Sequence, residues 1–234
     1  MDQRFVTIFN RWKPCSLLSQ YITLKHKKEK QMNMKVEFIE EAGWNSALLG
    51  LGLSFGLTSD KTLDDLESEE VAPGQEWPLH ERLYRRAEKL AGLDNGHNKF
   101  LESVVVWIDI TAPRYFWSQF DTYRVGTSKQ SESTMHTIMK RHLTKEDFSG
   151  KVRQEIIDIL NKMIDEKDFE GVKENLPEGF LQRRIVCTNC KVLRNMYHQR
   201  KNHALKEWRF FCDQILMYLD DRFTPAVKGE SNNE

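Results

Sequence analysis

The chain has no net charge, no cysteine framework and no long apolar run, and each absence removes a class of function. Lys plus Arg and Asp plus Glu stand at 35 each, so no overall field draws the chain onto nucleic acid or an anionic membrane. Any anion it binds must be gripped locally. No segment approaches the roughly 20 continuous apolar residues of a membrane helix. The N-terminus scatters Arg4, Arg11 and Lys13 among polar residues and lacks a signal-peptide apolar block. Four cysteines, Cys15, Cys187, Cys190 and Cys212, in 234 residues are too few for a disulfide scaffold and suit a reducing compartment. A cytoplasmic protein is the expectation. Cys187-x-x-Cys190 followed by His198 and His203 imitates a zinc-finger order. Only seven residues separate Cys190 from His198, however, where about twelve are needed. Leu193, Met196 and Tyr197 suggest one continuous helix there, so no metal site is expected.

The length can bury a real core in one domain, and no internal repeat or low-complexity region appears. Residues 1–33 read as an N-terminal extension, disordered or the product of an upstream start, with a basic cluster from Lys25 to Lys30 and with Met34 as the natural start. From Met34 the pattern alternates as a short strand. Trp44 to Phe55 suits a buried helix ending at Gly56, and residues 57–78, acidic and polar with Pro73 and Gly74, read as a surface excursion. Leu79 to Leu93 has helical spacing, with Leu83, Ala87, Leu90 and Ala91 on one side. The β-branched run Val104 to Ile110 argues for a well-buried strand. Pro113 then opens a short aromatic helix, Tyr115-Phe116-Trp117.

A helix from Asp147 to Ile164 carries Val152, Ile156, Ile159, Leu160 and Met163. Leu176-Pro177-Glu178-Gly179 breaks the chain, and two further helices run from Asn189 to about Asn202 and from Leu205 to Asp220. Residues 223–234 read as a disordered tail. The order of elements gives an α+β fold, a single helix-rich domain with a small central sheet.

Between the aromatic turn and the third helix lies Gln119 to His136, a run of hydroxyls, amides and an arginine. Short hydrogen-bonding side chains behind buried apolar elements are a common way to present phosphate ligands. The plainer reading is a solvated connection that turns at Gly126.

Three separated segments together resemble the flavin-dependent thymidylate synthases, which methylate dUMP with FAD, NADPH and methylenetetrahydrofolate. Met34-Lys35-Val36 followed by Leu53-Ser54-Phe55 is similar to the family's first strand and to a helix ending in a flavin-contacting Ser. His97 and Glu102 match a His-x-x-x-x-Glu at the flavin site, and Ala112-Pro113 and Gln119 follow ungapped. Leu176-Pro177, Asn189, Lys191, Asn195, Arg200, His203 and Trp208 reproduce in order the family's C-terminal pattern. The resemblance covers roughly residues 34–222 and implies a flavin-dependent thymidylate synthase-like domain over that span. Asn189, Lys191, Asn195 and Arg200 are expected to share one rim of a helix.

The same comparison marks departures. The family signature is Arg-His-Arg-x-x-Ser-x-Asn-x-x-Ser-x-Arg. This chain has Thr122-Tyr123-Arg124 at its start. After one inserted residue, Ser128, Gln130 and Ser133 fall on the Ser, Asn and Ser, and Met135 replaces the final Arg. Lys173 stands for a nucleotide-binding Arg, keeping the charge without the bidentate fork, and Lys99 replaces a Thr or Ser. Each lost charge-assisted phosphate contact is worth about 1.5–3 kcal/mol. Such departures suit a divergent member of a phage or mobile element.

By resemblance, Arg200 is the catalytic residue that orients or polarises the base. Gln119, Ser133, Thr134 and Lys173 join it in holding the nucleotide, and Ser54, His97, Glu102, Arg124, Asn189, Lys191 and Asn195 line the FAD. A pyrimidine nucleotide is the implied substrate, and the site is shared among subunits of a homotetramer. Two alternatives share the scaffold: another pyrimidine nucleotide as substrate, or a non-catalytic descendant that binds a nucleotide, nucleic acid or partner. A nucleic-acid module resting on Lys25 to Lys30 with Arg194, Arg200 and Lys201 is disfavoured by the zero net charge and by the lack of aromatic-basic interleaving.

Overall fold

The computed structural model describes residues 33–68, 70–93 and 96–219. The expectations about an extension over 1–33 and a tail over 223–234 lie outside the described residues except for Asn33, whose side-chain amide donates to Phe148 O at 2.8 Å. Four antiparallel strands form the sheet: β1 (Lys35–Ala42), β2 (Val105–Pro113), β3 (Ser128–Ser131) and β4 (Leu181–Asn189), in the order β1-β2-β4-β3. β2 sits at the centre because its alternation is strict. Val106, Ile108, Ile110 and Ala112 are fully buried, while Trp107, Asp109 and Thr111 face the other way and are only half-buried. On that second face Asp109 takes Arg183 of β4 as a bidentate partner. The β1–β2 register slips between Phe38 and Glu40, leaving Ile39 exposed at the bulge.

Helices α1 (Trp44–Leu53), α2 (Leu63–Glu67), α3 (Leu79–Ala91) and α4 (Arg114–Phe120) precede β3; α5 (Thr134–Thr137), α6 (Gln154–Asp165) and α7 (Phe169–Asn175) follow it. After β4 come α8 (Cys190–Arg200) and α9 (Lys206–Tyr218). The main core gathers β1, β2 and β4 with α1, α3, α4, α8 and α9. As its spacing predicts, α3 buries Leu83, Ala87 and Ala91, and α9 with the residue just beyond it buries Trp208, Phe211, Ile215 and Leu219. A smaller cluster built on Ile138, Leu143, Phe148, Ile157, Leu160, Ile164, Val172 and Leu176 packs α6 and α7. Backbone pairing of Phe148 with Phe180 fastens it to the entry of β4.

Several boundaries differ from the sequence expectation. The supposed excursion over 57–78 contains α2, closed by a capping box in which the Thr62 side chain and Asp65 cap each other's backbone N–H, and Leu66 beneath it is buried. The long helix expected from Asp147 begins at Gln154; Asp147 instead ends a short 3-10 turn capped by Thr144. On α6 the buried residues are Ile157, Leu160 and Ile164, whereas Ile159 is 55% exposed. No strand is expected after Gly179 and none within Gln119 to His136, yet β4 and β3 lie there.

The best-packed point is an aromatic cluster. Phe116 touches the rings of Trp117, Phe120, Trp208 and Phe211 at centroid distances of 4.6–5.9 Å. Phe116→Ala should therefore cost about 3–5 kcal/mol, read as a lowered midpoint in urea unfolding; a loss under about 1 kcal/mol would mean the cluster does not hold α4 to α9.

Candidate functional site

The chain leaves β2 through Pro113, turns into α4 and delivers Gln119, Thr122, Tyr123 and Arg124 in sequence beside the end of α8. α4 is fixed from below by Trp117, whose indole N–H donates to Gln182 O at 2.9 Å and whose face carries Arg184 at 4.4 Å. Gln119 accepts the Trp208 indole N–H at 2.8 Å. Trp208 is fully buried, and its ring supports the guanidinium of Arg200 at 4.9 Å. Arg200 Nε donates to the Tyr123 hydroxyl at 3.0 Å, and that hydroxyl donates to Gln199 Oε1 at 2.8 Å. Neither terminal nitrogen of Arg200 bonds to another described residue. Gln119, Tyr123, Gln199, Arg200 and Trp208 thus form one connected group.

His203 lies at the edge of this group, its ring 6.2 Å from Trp208. Its Nδ1 accepts the Leu205 N–H at 3.1 Å, which requires that nitrogen to be unprotonated. Burial first, then the charges of Arg200 and Arg209, holds the imidazole below its ordinary value.

Along α8, Lys191, Asn195 and Gln199 recur every four residues and make a polar row. Lys191 pairs with Glu102, and Asn195 Oδ1 accepts from Gln199 Nε2 at 3.1 Å. The expectation of one rim for Asn189, Lys191, Asn195 and Arg200 is corrected here. At about 100° per residue Arg200 lies half a turn away from Lys191, facing Tyr123 and Trp208 while Lys191 faces Glu102. Asn189 is the N-cap of α8, its Oδ1 accepting from Val192 N at 3.0 Å. Gly126 is required beside it. It sits at φ +64, and a Cβ there would come within 2.8 Å of Asn189 Nδ2.

The remaining candidates stand apart from the Arg200 group. Lys173 of α7 donates to the Thr134 hydroxyl at 2.6 Å, and the neighbouring Ser133 makes no side-chain cap bond to α5. Ser54 closes α1 and is exposed; His97 and Arg124 are exposed too, and none of the three bonds through its side chain to another described residue. A cavity of about 280 Å³ lies near Thr137, Arg141, Asp147 and Arg183. Its arginines are already neutralised, Arg141 by Asp147 and Arg183 by Asp109, so it offers no open cationic fork. Cys190 is buried and its thiol is pushed well up by desolvation, while Cys187 lies within β4. Among the described residues no three of His, Cys, Asp and Glu converge on a common point. Sequence reasoning missed Tyr123 and Gln199 as partners of Arg200; an aromatic hydroxyl in the signature's His position was the signal available.

A family model described as thymidylate synthase complementing protein matches residues 60–223. No curated protein matches the chain in sequence. Among solved structures, thymidylate synthase X from Helicobacter pylori with FAD and dUMP is similar at 15% identity, over 83% of this chain and 97% of that one, with a TM-score of 0.62. A second Helicobacter pylori structure, a flavin-dependent thymidylate synthase complexed with FAD and dUMP, gives 14% identity over 83% and 98%, and the same TM-score. The UMP/dUMP methylase PolB from Streptomyces cacaoi, bound with 5-Br dUMP, is 12% identical over 79% and 89% at a TM-score of 0.56. At these identities the likeness is one of fold.

Because the folded state holds His203 below its unfolded value, its contribution to stability is present above about pH 6.5. That contribution is lost as the pH falls below that point, where the unfolded chain takes the proton first. The unfolding midpoint should drop between about pH 7 and pH 5, and His203→Gln should flatten that dependence; an unchanged slope in the variant would remove His203 from the account.

Proposed function

The chain belongs to the thymidylate synthase complementing protein family, and from that premise we propose that it is a flavin-dependent thymidylate synthase-like enzyme that methylates dUMP. Methylenetetrahydrofolate is the carbon donor in this reading, reduced FAD the hydride donor, and NADPH the reductant. The observation that carries it is Arg200, stacked on Trp208 and tied at Nε, with its terminal N–H groups free to meet a base carbonyl.

The residues present fit a flavin. The row Lys191, Asn195 and Gln199, with Glu102 paired to Lys191, and the exposed, unbonded side chains of Ser54, His97 and Arg124 offer polar groups suited to ribityl hydroxyls and a pyrophosphate. Asn189 keeps its amide N–H₂ for the same purpose. When bound, FAD supplies the redox chemistry, and the protein's own task is to hold and orient. Arg200 orients and polarises the base. Gln119, whose oxygen is spent on Trp208, keeps its amide nitrogen as a donor. The Ser133 hydroxyl, the Thr134 N–H and Lys173 take the 5′-phosphate, with Lys173 already poised against Thr134.

These groups reach the surface from separate elements of one chain, which supports a complete site assembled in a homotetramer. We assign the catalytic domain to residues 34–222 and place the protein among cytoplasmic enzymes of the divergent, phage-type kind. Among the described residues no helix is long and apolar enough to cross a membrane.

One observation favours a second reading on the same scaffold. Met135 is 61% exposed where the family signature carries an arginine, so the phosphate grip is one fork short. Another pyrimidine nucleotide could then be the substrate; the neighbour PolB is a UMP/dUMP methylase.

Purified full-length chain should be yellow, with flavin absorbance near about 450 nm. A pyrimidine nucleotide at a hundredfold excess over its Kd should stabilise it by about 2.7 kcal/mol. Thermal unfolding with dUMP, UMP and dCMP separates the two readings by which ligand raises the midpoint. Arg200→Ala should abolish turnover. A colourless protein that takes up no added FAD and is stabilised by none of the three would identify a non-catalytic descendant.

A further inference from the structure

Tyr123 stands in the signature position where the family carries a histidine, and its phenol does two things at once. The ring packs against Phe120 at 6.2 Å and Trp208 at 5.8 Å, which fixes where the hydroxyl can be. The hydroxyl accepts from Arg200 Nε at 3.0 Å and donates to Gln199 Oε1 at 2.8 Å. Gln199 takes the hydroxyl proton, so the oxygen lone pair is left pointing at Arg200. The guanidinium lies 5.7 Å from the Tyr123 ring and 4.9 Å from the Trp208 ring. Of its N–H donors only Nε–H is engaged, and the outer fork is open.

We propose that Tyr123 is the positioning residue for Arg200: its hydroxyl anchors the inner edge of the guanidinium and so sets the direction in which the outer fork meets a pyrimidine carbonyl. This rests on the reading of Arg200 as the base-contacting group. Arginine carries many rotamers, and an anchor at Nε with a stacking surface behind it removes most of them before any ligand arrives. Lys129 supports the arrangement from the other side. Its ammonium donates to the Tyr123 carbonyl at 3.3 Å while paired with Asp121 at 3.1 Å, so the tyrosine backbone is held as well as its ring.

The test is a double-mutant cycle on nucleotide binding by the full chain, read by calorimetry with dUMP. Tyr123→Phe keeps the ring and removes the anchor; it should weaken dUMP roughly tenfold in the native background and leave binding unchanged in an Arg200→Lys background. Gln199→Met, which frees the hydroxyl to rotate, should give a smaller loss with the same dependence on Arg200, and it serves as the second variant if Tyr123→Phe does not fold. Equal losses in both backgrounds would show that Tyr123 acts through general packing, and no loss in either would show that it does not act at all; both overturn the proposal. If native protein binds no dUMP, the reading of function fails and takes this inference with it. If native protein binds and Arg200→Lys binds equally well, the assignment of Arg200 is what fails.

Discussion

The hydrogen bond from Trp208 to Gln119 is the constraint on which the site depends. Trp208 is fully buried, so its single polar hydrogen must find an acceptor inside the protein, and the 2.8 Å bond to the Gln119 amide supplies one. That bond joins α4, which leaves the central strand, to α9, which follows the helix bearing Arg200. The stacked pair Phe120 and Trp208, with planes 6° apart, keeps the same two helices in register. Tyr123 and Arg200 are then brought together from opposite directions, one by the turn after α4 and the other by the last turn of α8.

Beneath this junction the charges of the sheet are arranged in local pairs. Arg183 meets Asp109 across β2 and β4, Arg184 meets Asp121 with its guanidinium over Trp117, and Lys129 shares Asp121. The neutral composition is thus realised as compensation inside the fold. The outer fork of Arg200 is not paired in this way: its Nε is bonded to Tyr123 and its guanidinium lies over Trp208. A chain with no net field can still hold an anion or a polarised carbonyl where such a donor is left open.

The sequence made legible those parts whose periodicity is local. The strict alternation of Val106, Ile108, Ile110 and Ala112, the helical spacing of Leu83, Ala87 and Ala91, and the run Trp208, Phe211, Ile215 and Leu219 all bury as their spacing dictates. β4 was not legible. Gln182, Arg183 and Arg184 break any apolar alternation, and they are tolerated in a strand only because Asp109, Asp121 and Trp117, far away in sequence, neutralise and cover them. β3 carries Ser128, Lys129, Gln130 and Ser131, no β-former among them, and exists because β4 offers it an edge to pair with. The candidate site behaved likewise. Its residues could be picked out in order along the chain, but the division of α8 into a Lys191 face and an Arg200 face follows from helix geometry that a pattern of matched letters ignores.

The segment from Gln119 to His136 combines both lessons. Its hydroxyls do not form one cradle. Thr122 spends its side chain on the Gln119 carbonyl, Thr127 faces Thr188, the Tyr123 hydroxyl meets Arg200, and Thr134 meets Lys173. The departures from the family signature fall unevenly across this division. Near the end of the segment, Met135 stands exposed where the signature has an arginine. Near its start, Tyr123 stands where the signature has a histidine, with a group that both accepts and donates, and two side chains of α8 use both capacities. A ring nitrogen pair could match that pattern only by fixing one tautomer, whereas a phenol does so at any pH well below its ionisation. The substitution therefore reads as a change in how Arg200 is held.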